Sequence, residues 1–221
     1  MKRSGSRIWR VLFAGGGLLY FIGAFNHPRG MTMADMMVDP AWIPSHAAVF
    51  IGLLAMTVGL VSFRRSRPIS STVQRWLSYT IVLAVLESIE MGLHTMAYLD
   101  AGSLPRTALH AGLSTPVLTV HLVFATLVYT PFAIALIGLI WTGQRERALG
   151  SPWIGWIGII GAAAHGAVMW LAIVLGIPGT GILFPIGALC LSLWFLLAGI
   201  WPARQRAAYA MSDNEMAGAA S

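Results

Sequence analysis

Six long apolar stretches alternate with short polar connections along the chain. They run Ile8–Asn26, Trp42–Phe63, Trp76–Leu99, Pro116–Trp141, Trp153–Leu175 and Gly181–Trp201. Each is close to the ~20 residues that carry a helix, rising ~1.5 Å per residue, across the hydrocarbon core of a bilayer. Inside hydrocarbon every backbone polar group must be bonded within its own segment, so stretches of this kind fold as helices. The pattern predicts an all-α fold, a polytopic integral membrane bundle of six transmembrane helices forming one domain over residues 1–206. Residues 207–221, which end in MSDNEMAGAAS, are small and polar and read as a disordered tail. Pro131 and Pro185 fall inside the fourth and sixth stretches and predict kinks rather than breaks. Trp42, Trp76, Trp141, Trp153 and Trp201 stand at stretch ends, where indole favours the headgroup region.

The polar connections are of two kinds. Lys2, Arg3, Arg7 and Arg10 precede the first stretch. Arg64, Arg65, Arg67 and Arg75 lie between the second and third, Arg145 and Arg147 between the fourth and fifth, and Arg204 and Arg206 after the sixth. The opposite set of connections carries only Arg29 and Arg106. By the positive-inside rule both termini are cytoplasmic, in a plasma-membrane protein. The first stretch has the basic start and apolar core of a signal peptide, but Ile22-Gly23-Ala24 is a poor cleavage site and the apolar run is long, so it reads as a retained span. The second, fourth and sixth stretches close alike, on GLVSFRR, GLIWTGQR and GIWPARQR. That likeness fits three helical hairpin repeats, and equally fits the glycine, tryptophan and arginine that any span ending on this side tends to carry.

Composition agrees with this reading. The 221 residues are 57% apolar and 10% charged, against ~25% charged in a soluble domain. The formal charge of +6 sits in short clusters between apolar runs, which points to topology and anionic lipid rather than to nucleic acid. The lone cysteine, Cys190, excludes an internal disulfide and any cysteine-based zinc motif.

Against this background the histidines stand out. His27 ends the first stretch, His46 begins the second, His94 lies near the outer end of the third and His121 near the outer start of the fourth. Four helices thus bring an imidazole to one depth. Singly, such residues are usually interfacial groups bonded to loop carbonyls. As a set they form a candidate site for a transition metal, copper or iron, or for haem b held by axial pairs such as His46/His121 or His27/His94. His110 lies in an outer loop and reads as solvated.

The third stretch adds two carboxylates. Glu87, Glu90 and His94 share one helix face by their spacing of three and four. Glu87 is about 16 Å along the helix from Trp76, near the midplane, and His165 lies at a matching depth on the fifth stretch. Ionisable groups at that depth face a partner, water or the bundle interior. Glu87, Glu90 and His165 are therefore candidate catalytic or proton-carrying groups, forming a polar column beneath the histidines.

The outer loop between the first two stretches reads FNHPRGMTMADMMVDPAWIPSH and holds Met31, Met33, Met36 and Met37. Thioether sulfur favours Cu(I), but flexible methionine is more often filler on an amphipathic segment. Asp35 and Asp39 read as loop solvation, and Asp39-Pro40 as a turn. Gly15–Gly17 lies inside a span and is no phosphate loop. Gly155, Gly158, Gly161, Ala162 and Gly166 give the fifth stretch a small-residue face that lets another span approach His165.

Three functions remain open at this stage. One is a metal or haem protein, a membrane redox enzyme acting on a lipid-soluble substrate. The second is a transporter of a metal ion or proton-coupled solute, and the third a scaffold without chemistry. All three have the bilayer as partner, and self-association into homo-oligomers is compatible with each.

Overall fold

The computed structural model describes residues 5–29, 33–66, 69–103, 115–146 and 148–201. Met31, Arg106, His110 and the tail beyond residue 201 lie outside the described residues. The chain folds as helices α1 (Gly5–Phe25), α2 (Met33–Met37), α3 (Trp42–Ser66), α4 (Ser71–Met96), α5 (Tyr98–Ser103), α6 (Pro116–Arg145), α7 (Pro152–Val168) and α8 (Leu183–Ile200). Six helical spans are long and apolar enough to cross a membrane. They coincide with the six apolar stretches, so the all-α polytopic bundle is the observed fold. Several helices run a turn further at the arginine-bearing end, to Ser66 in α3 and Arg145 in α6. Hydropathy detects only the apolar part of a span, whereas arginine is a good helix former and continues it into the headgroup layer.

The spans pack in chain order, α1 on α3, α3 on α4, α4 on α6, α6 on α7 and α7 on α8, and α8 closes the ring against α1. Small residues set the closest approaches. A Cβ built on Gly16 would stand 2.7 Å from the Gly52 carbonyl oxygen, and one on Gly52 equally close to that of Gly16, so α1 and α3 meet backbone to backbone. Gly17 faces the backbone of α8 at Ser192, while Gly15 faces open space. The three successive glycines therefore look in three directions. On the other side of the ring Gly187 of α8 lies against the backbone of His165, and Gly166 against Ala133.

The arginine-bearing half of the bundle is an apolar core. Trp9, Phe13, Phe63, Leu77, Leu139 and Trp194 belong to it. Its aromatic rings meet edge to face, with Trp9 and Phe63 centroids 5.0 Å apart and Phe13 and Phe195 also 5.0 Å apart, the geometry their quadrupoles favour. Arg10 fastens the end of the ring, donating from Nε to the Gly199 carbonyl at 2.9 Å and from its other nitrogen to Trp201.

Three local expectations change. Pro185 is the third residue of α8, where a missing N–H leaves no intrahelical bond unmade, so it starts a helix rather than kinking one; Pro131 does lie inside α6. The fifth span ends in a π-helical turn, Met169–Val174, followed by Gly176 and Gly179 at positive φ. Trp42 is not an interfacial residue. It is 1% exposed, enclosed by Met37, Ala97 and Leu118. Met36 packs on the same cluster, so these two methionines act as apolar filler at the loop.

Candidate metal centre

The histidine-bearing end of the ring is polar inside. His46 leaves the first turns of α3, His94 the last turn of α4 and His121 the first turns of α6, while His27 lies two residues beyond α1. Imidazole follows imidazole in contact. The ring centroids of His27 and His46 are 4.8 Å apart, those of His46 and His94 4.4 Å, and those of His94 and His121 4.1 Å. Trp42 lies against this row, 4.1 Å from His46 and 5.2 Å from His94. All four sequence-identified histidines are thus brought together. The indole beside them was assigned to the headgroup region because tryptophan at a span end usually goes there.

Hydrogen bonds orient two of the rings. The Nδ1–H of His46 donates to the Trp42 carbonyl at 2.6 Å, and that of His27 to the Pro28 carbonyl at 2.9 Å. A carbonyl can only accept, so in both rings Nε2 keeps the lone pair, the arrangement by which an outer partner prepares a histidine ligand. Burial holds the His27 imidazole below its ordinary value of 6.5, against the opposing pull of its bond to Pro28, and so favours the neutral, ligating form. Nε2 of His46 and both ring nitrogens of His94 are buried without a hydrogen-bond partner. Buried polar atoms nearly always have one.

Glu90 joins the layer from below. Its Oε1 lies 2.5 Å from His121 Nδ1. Neither atom has a hydrogen-bond partner, so the contact brings two potential metal donors together. Donor atoms of His27, His46 and His94 lie within 4.8 Å of one another, as do those of Glu90, His94 and His121. His94 is common to both groups. The donor set of imidazoles and one carboxylate, four of its ring nitrogens without a hydrogen-bond partner, suits a first-row transition metal.

The column beneath is also present. His165 Nε2 and Glu87 Oε1 are 2.7 Å apart, joining α7 to α4, and both residues are buried. Tyr129 of α6 stacks on the His165 ring with centroids 4.1 Å apart, and its hydroxyl donates to Glu90 Oε2 at 3.5 Å. Glu90 therefore belongs to the histidine layer through one oxygen and to the column through the other. Tyr129 was not among the sequence-identified residues, although its spacing of eight from His121 puts both on one face of α6. Tyr20, which lines the same interior, is seven residues before His27 and was missed in the same way.

Asp100 anchors the neighbourhood of the site, accepting from the Leu118 amide at 2.9 Å. It satisfies a free N–H in the first turn of α6, just before His121.

Fold and site together define a helical protein of six membrane-length spans with a buried histidine–carboxylate cluster at one end. No protein-family description, curated protein or solved structure matches the chain.

Proposed function

We propose that the chain is a plasma-membrane metalloprotein, with both termini cytoplasmic, whose transition metal, copper or iron, is held by a triad that includes His94, either His27, His46 and His94 or Glu90, His94 and His121. The observation that carries this reading is the set of unbonded ring nitrogens on His46 and His94 inside a closed layer of imidazoles. Haem b fits less well. His94 touches both His46 and His121, so neither pair leaves a slot for a porphyrin. When bound, the metal supplies Lewis acidity and electron transfer. The protein orients its ligands and offers Glu87 and His165, 2.7 Å apart, as a proton-holding pair.

A redox enzyme acting on a lipid-soluble substrate is the activity this supports best. A cavity of about 320 Å³ lies beside His27 between α1 and α8, walled by Phe25, Phe184, Pro185 and Leu189, and an apolar molecule could reach the site through it from the bilayer. Transport is less favoured, because the apolar core of Phe63, Leu77, Leu139 and Trp194 fills the bundle below His165.

Metal analysis with an absorption spectrum of protein purified without chelators tests the reading. The expected result is copper or iron at about one ion per chain, no Soret band, and loss of the metal in His94→Ala with the helical content kept. A Soret band would replace the ion by haem. Metal-free wild-type protein would refute the site.

A further inference from the structure

Between the histidine layer and the column lies a small chamber. It is lined by His27, His46, Tyr20, Tyr129, Glu87 and Glu90 on its polar side and closed by apolar side chains such as Leu53 and Ala188. Its volume of about 20 Å³ exceeds the ~10–15 Å³ that one water requires. The walls also meet the second requirement, two to four polar partners. Glu87 Oε2 is buried without a hydrogen-bond partner and its residue faces this space with two phenol side chains, while His46, whose unbonded Nε2 is a metal ligand, forms part of the wall.

The chamber adjoins the bilayer-side cavity. Ala24, His27, Phe184 and Ala188 line both it and the 320 Å³ cavity between α1 and α8. Three protein ligands leave a further coordination position, unlike a structural metal site, where protein ligands close every position.

We infer that the metal centre has an open coordination position on its chamber side, which takes a single water-sized oxygen ligand. This deepens the metal reading given above and rests on it. The ligand lies between the ion, held by the triad His27, His46 and His94, and the Glu87 carboxyl, with the hydroxyls of Tyr20 and Tyr129 as further partners. Binding needs no electron transfer. The ligand at rest would be water. The same position admits a substrate no larger than a few atoms.

The test is pulsed electron paramagnetic resonance of the full chain loaded with Cu(II) in water enriched in oxygen-17. Wild-type protein should show nitrogen couplings from imidazole and one strong oxygen-17 coupling. Ala188→Leu fills the chamber from a residue that is not itself a donor, and should remove the oxygen coupling while copper content and nitrogen couplings stay as in the wild type. Ala24→Leu does the same from α1 and serves if Ala188→Leu does not fold. Absence of oxygen-17 coupling in the copper-loaded wild type overturns the inference. So does a coupling that persists unchanged in a filled variant, since the oxygen ligand would then lie on the other side of the ion. Protein that takes up no copper and carries no other metal overturns the metal reading itself, a distinct result from copper bound without an oxygen ligand.

Discussion

His165 and Glu87 bring two ionisable side chains from different spans into one contact of 2.7 Å. Removing one partner leaves the other buried without it, and a buried group left unbonded costs about 1–3 kcal/mol. Denaturant unfolding in detergent should therefore rank the variants. His165→Leu is expected to lose stability by that amount. Glu87→Gln, which keeps an oxygen for the His165 N–H, should lose less, and the double variant Glu87→Leu/His165→Leu should recover most of the loss. Strict additivity of the two single leucine variants would show that the residues do not interact. The partners of this pair were only partly legible in the sequence. Glu87, Glu90 and the histidines announce themselves because charge and imidazole are rare in hydrocarbon. Tyr20 and Tyr129 are ordinary residues of a membrane helix, and only their spacing from His27 and His121 distinguishes them.

At the scale of elements, the site depends on how closely α1 approaches α3. His27 follows one helix and His46 begins the other, and the two backbones touch at Gly16 and Gly52. Backbone cannot yield as a flexible side chain can. Gly52→Ala should push the helices apart, cost about 1–3 kcal/mol by overpacking, and lower metal content by separating His27 from His46. Gly15→Ala is the control, since a Cβ there meets nothing within 4 Å; it should leave both properties unchanged. Thermal unfolding and metal analysis on the same preparations check both outcomes. The spans themselves could be read from hydropathy because hydrocarbon admits so few alternatives. The π-helical turn at Met169–Val174 could not, because MWLAIV is as compatible with an α-helix and the change arises where the chain turns at Gly176. Trp42 misled for a related reason. Its place at a span end is shared with true interfacial residues, and only the assembled ring shows that α2, Ala97 and α6 cover it.

For the whole molecule, the bundle divides into an apolar half and a polar half. The core around Trp194 and Phe63 closes the arginine-bearing end. The other end gathers four histidines, two carboxylates and two tyrosines, with a chamber among them. Such a division places reactive groups within reach of one side of the bilayer while the other half holds the helices in register. The central claim is that imidazole and carboxylate, and not the loop methionines, bind the metal. X-ray absorption at the metal edge of the protein as purified tests this most directly. The account predicts a first shell of nitrogen and oxygen at about 2.0–2.2 Å, with the outer-shell scattering of several imidazole rings. A first shell dominated by sulfur at about 2.3 Å, or no metal edge above background, would contradict it.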